Sequence, residues 1–294
     1  FAGGESTAAT ARSVDFDGSN DFLTVADSSN DLSFKTDCTI EMWIKPDDWN
    51  SGNYVSLWSG SASNSSNNGC IHLNKTSSGG INLRIGNNNS LDSLGTYTGD
   101  LPPVGQWTHL ALVRNNNVGY LYLNGTQVKT FSSLPTNRQY NTVNVYIGYS
   151  AAGGQAFNGK ISNVRFTKSA VYTSSFRPPT EPLTNITNTE LLCCNNSSVT
   201  GSTVTPGTIT SGGGPPASTD SPFDDPAGFK FGENGDEGVI KTGSYIGNGN
   251  ADGPEIFLGW EPQWLLVKNT GASANWGLLD SMRGIVTGYR DSVL

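Results

Sequence analysis

Side chains that could do chemistry occur in three places in this sequence, and each place suits a different chemistry. The first is aromatic. In "VGYLYLNG", Tyr120 and Tyr122 alternate with Leu121 and Leu123. In a strand the tyrosines therefore share one face and the leucines the other. A tyrosine ring with its hydroxyl suits the apolar face of a sugar and its rim of hydroxyls. Trp58, in the strand-like "NYVSLWSG", is a further ring candidate. The second place is acidic: Asp15, Asp17, Asn20 and Asp21 crowd into "DFDGSND". A hard cation such as calcium takes several oxygen ligands from a loop of this kind. The third is Glu41 in "TIEMW" together with His109 in "WTHLALV". Glycoside hydrolysis needs two carboxylates close together, and no E-x-D-x-E pattern is present to supply them. His109 has no serine or cysteine near it in a nucleophile motif. No residue is assigned a catalytic role, and the chain reads as non-enzymatic.

Each of these has a purely structural reading beside it. Loops or a neighbour can cover the tyrosines, since central strands are often buried on both faces. The acidic stretch also reads as an Asx-rich turn, and His109 as a satisfied strand histidine. Two glycine-rich stretches fail as sites. "GNGNADG", Gly247 to Gly253, puts Asn248 first and Gly259 twelfth, against the Asp and Glu of a calcium loop. "SGGGPP" lacks the lysine and the following helix of a phosphate cradle.

The elements that would carry these residues read as strands. Of 294 residues, 35% are hydrophobic and 14% charged, with 36 glycines. That balance suits short strands joined by many turns. "CTIEMWIKP" alternates Ile40, Met42 and Ile44 with Thr39, Glu41 and Lys45, a period of two ended by Pro46. "CIHLNK", "INLRIG", "NVYIGY" and "GKISNVRFTKSAVY" continue the series. "NNN" and Asn124-Gly125 are turns, because asparagine and glycine tolerate the positive φ of tight hairpins. Leu110, Leu112, Leu121 and Leu123 are core candidates. Many short strands with regular turns imply a sandwich or a barrel.

Four segments follow: an N-terminal arm over 1–12, a β domain over 13–194, a linker over 195–226, and a small β-rich module over 227–294. The linker is read from its Ser/Thr/Gly/Pro content. The alternative is that its Thr/Val repeats lie along a neighbour as an edge strand. Trp260, Trp264 and Trp276 suggest a core in the last module.

Net charge is −8. Between Thr219 and Glu255, eight acids face two bases, so a basic nucleic-acid surface is not expected. No apolar run reaches transmembrane length, and membrane insertion is not expected. Cys38, Cys70, Cys193 and Cys194 form no CxxC pair and, with only two histidines, no zinc pattern. They read as free thiols.

Three ordered blocks carry a resemblance: "SVDFDGSNDFLTVADSS…TIEMWIKP", "GQWTHLALVRNNNVGYLYLNG" and "YIGYSAAGGQAFNGKISNVRFTKSAVY". From about Ser13 to Leu183 the chain resembles the laminin-G-like, concanavalin A-like domains. The resemblance implies an antiparallel jelly-roll β-sandwich. The fold class is thus all-β, a jelly roll followed by a flexible linker and a second small β-rich module. Such domains often hold calcium near the "DFDGSND" loop with help from the final strand. The resemblance therefore makes Asp17, Asp21 and Asn163 the candidate calcium ligands, although related domains often carry an acid where Asn163 stands. "YTSSFRPPTEPLTNITNTELLCC" and the segment from Phe229 to Gly284 resemble virion proteins of marine tailed phages. That implies a virion-surface, extracellular structural protein: a fibre, tail appendage or capsid decoration. Its expected partners are other virion proteins, further copies of itself and a host-surface glycan or receptor. The alternative expectation is a secreted or cell-surface adhesive lectin with calcium-assisted glycan binding.

Overall fold

Alternation of apolar and polar residues dictates two layers with one core between them. The computed structural model describes residues 12–50, 53–60, 71–87, 90–137, 144–150, 154–223, 264–269, 271 and 276–280. The arm over 1–11, Cys70 and most of 227–294 lie outside them. In chain order the strands are β1 (Ser13–Asp17), β2 (Phe22–Ala26), β3 (Cys38–Asp48), β4 (Val55–Ser59), β5 (Ile71–Lys75) and β6 (Ile81–Asn87). Then come β7 (Ser90–Tyr97), β8 (Thr108–Asn115), β9 (Val118–Leu123), β10 (Thr126–Phe131), β11 (Asn144–Ile147) and β12 (Asn158–Thr167). β13 (Thr189–Cys193), β14 (Ser202–Val204), β15 (Ile209–Gly212) and β16 (Ala217–Ser218) complete this unit, which lies within Thr7–Gly228. No helix occurs among the described residues.

The first sheet runs β10-β9-β8-β3-β12-β1-β16, with β13 on β12 and β14 on β13. The second runs β15-β2-β11-β4-β5-β6-β7. All of their pairs are antiparallel. Ile40, Met42 and Ile44 of β3, Leu110 and Leu112 of β8, and Leu121 of β9 face inward. They meet Leu23, Val25, Leu73, Leu83, Ile85, Val145 and Ile147 of the second sheet in one core. Leu123, the fourth expected core leucine, packs against this core only partly buried. Asn116 and Asn124 have φ of 55° and 46°, as hairpin turns require. Cys38, Cys193 and Cys194 are free and buried, and burial pushes the Cys38 thiol upward.

β12 changes partners midway. Asn158 to Ser162 pair with β1, and Val164 to Thr167 pair with β13. Asn163 sits at the switch with φ of 50°, and its N–H donates to the Cys194 carbonyl (3.0 Å).

The expected linker over 195–226 requires correction. Over the described part, 195–223, it is built into both sheets. β15 pairs with β2 and β16 with β1. The Asp220 carboxylate accepts from Lys45 Nζ (2.6 Å) and Trp107 Nε1 (3.0 Å), and the Ser13 hydroxyl donates to the Asp220 carbonyl (2.6 Å). Without this tail β1 and β2 would be open edges, which folded proteins cover. Ser, Thr and Val content reads as linker, yet Thr and Val are good strand formers when an edge awaits them.

In the other unit the described residues form one antiparallel hairpin, β17 (Trp264–Lys268) with β18 (Trp276–Asp280). Lys268 Nζ lies 5.9 Å from the centre of the Trp276 ring. Trp264 and Trp276, expected in a core, are exposed. Among the described residues of this unit the ribbon is the only element, and a two-stranded ribbon offers no second layer to bury them.

Candidate functional site

The outer face of the first sheet holds Glu41, His109, Tyr120 and Tyr122, and the chain itself closes over it. Glu41 of β3 is fully buried. Its Oε1 accepts from Arg165 Nε (2.9 Å) and Nη2 (2.6 Å). Its Oε2 accepts from the Tyr172 hydroxyl (2.8 Å) and lies 3.2 Å from His109 Nε2. Burial works to raise the Glu41 carboxyl. The hydrogen bond from His109 and the charge of Arg165 outweigh it, so the carboxyl sits below its ordinary range. A strap over 168–178 closes the face. Thr39 Oγ1 donates to the Ser169 carbonyl (2.8 Å) and accepts from the Val171 N–H (2.9 Å). The Phe176 N–H donates to the Gly125 carbonyl (2.8 Å). The Tyr172 and Phe176 rings stack with centroids 3.6 Å apart. Tyr122 lies beneath them at 0% exposure, and Tyr120 packs at the margin.

Tyr122 is therefore no ligand platform; its second face belongs to the strap. Trp58 is no platform either. β4 carries an irregularity between Ser56 and Trp58, which turns both Leu57 and Trp58 into the core. There Trp58 stacks on Phe166 (6.1 Å). A bulge of this kind breaks the two-residue period on which any reading of faces depends.

The calcium set also disperses. Asp17 Oδ1 accepts from the N–H groups of Ser19 (2.8 Å) and Asn20 (3.2 Å), and Asp21 Oδ2 accepts from the Asp17 N–H (3.1 Å). This is an Asx turn. The Ser19 N–H lowers the Asp17 carboxyl, and burial raises that of Asp21. Asp17 pairs with Asn158, so Asn163 stands five strand residues away, roughly 16 Å. Its amide is committed to the backbone: Oδ1 accepts from the Leu183 N–H (2.9 Å) and Nδ2 donates to Ser162 Oγ (2.8 Å). These residues do not fit a calcium site. Among the described residues no group of three His, Cys, Asp or Glu could hold a metal.

The second sheet presents a different outer face. Strand register aligns Ser56, Asn74, Asn82 and Thr96 across β4 to β7. A neighbouring row runs Thr24, Tyr146, Ser59, His72, Arg84 and Ser93 across β2 to β7. At the β7 side opens a cleft of about 690 Å³, lined by Tyr54, Asn82, Arg84, Ser93, Thr96 and Asp100 among others. The Arg84 guanidinium carbon lies 5.5 Å from the Tyr54 ring centre. Asn82 Nδ2 donates to Thr96 Oγ1 (2.6 Å) and Ser93 Oγ (2.8 Å). These bonds fix the amide, while its buried Oδ1 has no partner. Beside it both amide atoms of buried Asn74, and the buried Ser56 hydroxyl, also lack partners. A buried unpartnered polar atom costs about 1–3 kcal/mol, so a row of them calls for a reason. His72 shares a hydrogen bond between Nδ1 and the Ser59 hydroxyl (2.9 Å). Burial, then Arg84, lowers its pKa to about 4, so the ring is neutral. Gly80, with φ of 88°, lines the cleft where a β-carbon would collide with the Tyr97 carbonyl oxygen.

At the opposite side of this face Phe22 stacks with Tyr149 (5.3 Å) and tilts against Tyr146 (5.6 Å), all three half-buried. Sequence reasoning missed both places. The alternation of Asn82 and Arg84 in "INLRIG" was a visible signal. Nothing local says which of two alternating faces stays open.

Against known proteins, the model of the Concanavalin A-like lectin/glucanases superfamily, laminin G type, matches residues 17–174. A Domain of unknown function (DUF7483) matches 161–293, and so shares the second half of β12 and the start of the strap. No curated protein matches the chain. Among solved structures, a native heptameric SAP-like pentraxin from Limulus polyphemus is 17% identical with a TM-score of 0.52. That alignment covers 74% of this chain and 98% of the pentraxin. A protein from Bacteroides ovatus described as carbohydrate binding is 16% identical with a TM-score of 0.50, covering 70% of this chain and 59% of that one. At such identities the likeness is one of fold: an antiparallel all-β jelly-roll sandwich.

Proposed function

Since the chain belongs to the concanavalin A-like lectin/glucanases superfamily, matched over 17–174, we propose that it is a glycan-binding protein with no catalytic role. The observation that carries this reading is the cleft beside Tyr54 and Arg84. It offers one aromatic ring, the amide of Asn82 and the hydroxyls of Ser93 and Thr96. A sugar presents the complement, an apolar ring face and a rim of hydroxyls. Among the described residues of its lining Asp100 is the only carboxylate, whereas glycoside hydrolysis needs two. A glycan array is the test. Binding to at least one glycan is expected, with the signal falling about tenfold in Arg84→Ala, as for loss of one charge-assisted contact. No binding to any glycan would sink the proposal.

The setting we propose is the surface of a tailed-phage particle, as fibre, tail appendage or capsid decoration, with partners among other virion proteins and further copies of itself. Its support is the resemblance carried by Tyr172 to Cys194 and Phe229 to Gly284. Mass spectrometry of purified particles should find the chain, and its absence there would overturn the setting. The alternative of a secreted, calcium-assisted lectin loses its metal leg to the dispersal of Asp17, Asp21 and Asn163. EDTA should change neither the melting temperature nor the array signal.

A further inference from the structure

The cleft and the Phe22, Tyr146 and Tyr149 cluster lie on one face and share one cross-strand row. Tyr146 pairs with Ser59, Ser59 with His72, and His72 with Arg84. Three strand spacings therefore separate Tyr146 from Arg84, roughly 14 Å. Ser59 and His72 between them are buried. Contact is thus offered at the two ends of the row and not along its middle. The two ends differ in chemistry: Arg84, Asn82 and Tyr54 at one, and three packed rings with two phenolic hydroxyls at the other. The rings are held in place from behind. Phe22 lies against Gly212, its register partner on β15, where any β-carbon would strike the ring.

Resting on the glycan reading above, we infer that the occupant is an extended oligosaccharide of about three or more units. One end sits in the cleft and the other stacks on Tyr146 and its neighbours. A single terminal sugar can fill the cleft but cannot reach the rings across roughly 14 Å. Two contacts on one ligand make the second an intramolecular event, so affinity rises once the chain is long enough to span them.

The test is an array that prints each glycan backbone as a series from one to six units. Weak signals are expected for one and two units, with a rise of about tenfold where the chain spans both ends, the range of one aromatic contact. Phe22→Ala and Tyr146→Ala should abolish the rise while keeping the short-chain signal. Arg84→Ala should reduce all lengths. Equal signals at every length would overturn this inference and leave the glycan reading intact, as would a rise that survives in both aromatic variants. No signal at any length would overturn the glycan reading itself. If an aromatic variant fails to fold, as judged by its melting curve, the length series on the unaltered protein still decides.

Discussion

The outer faces of the two sheets make an instructive contrast. Both alternate against the same core, and both carry rings, hydroxyls and a histidine. The face of the first sheet has the more reactive inventory: Glu41, His109, Arg165, Trp43, Tyr122. It is shut by a strap whose Tyr172 hydroxyl donates to Glu41 and whose Phe176 ring packs against Tyr122. The face of the second sheet is chemically milder, built of serine, asparagine and threonine around one arginine. It keeps a cleft and an aromatic cluster accessible. Coverage, then, and not residue type, decides which face stays open.

The sharpest way to break the contrast is to disturb the closed face. Arg165→Met leaves the Glu41 carboxylate buried without its counter-charge. Such a loss costs about 3–5 kcal/mol, which urea unfolding should reveal. A change under 1 kcal/mol would mean that the network is not integral to the closure. The same substitution should leave glycan affinity unchanged where the protein is still folded, because it touches the wrong face.

A smaller effect is expected at the tail. Asp220→Ala removes the acceptor for Lys45 and Trp107. Both partners are partly solvated, so a loss of about 1–2 kcal/mol is expected. A thermal melt identical to the parent would show that the Asp220 carboxylate does not anchor the tail, which would then rest on its strand pairing alone.

The smallest effect at neutral pH comes from His72, which is buried in the middle of the second sheet's outer row. Its folded pKa of about 4 lies below the ordinary 6.5, so the unfolded chain binds the proton more readily. Stability from this group is complete above pH 6.5 and is lost as pH falls toward 4. His72→Gln should flatten the melting temperature over that window relative to the parent. An unchanged slope would show that other groups set it. Glu41 adds acid sensitivity of the same sign at lower pH, because its depressed carboxyl must be protonated there.

Much of the sandwich was legible in the sequence for a physical reason. The two-residue period of a strand is local, so "CTIEMWIKP" and "THLALV" announce which residues face inward. Asn116 and Asn124-Gly125 likewise announce turns that only a few residue types can make. Leu110, Leu112 and Leu121 are buried as the alternation requires. The site was barely legible. Trp58 is core because of a single irregularity in β4, which shifts the period by one residue. Tyr122 is covered because Tyr172 and Phe176, some fifty positions later in the sequence, return to it. Asn163 reads as a ligand by its place on the final strand, but serves as the pivot where β12 changes partners.

The sequence alone determined the strands of the family-like blocks, their turns, most of their inward residues and the family. Each of these follows from neighbours in the chain. Only the tertiary structure decided which outer face the chain would cover with its own strap and which it would leave with an open cleft. It also decided that a Ser/Thr-rich stretch would close the sheets. Those outcomes depend on contacts between residues far apart in sequence, where burial and hydrogen bonding are settled by what arrives from elsewhere in the fold.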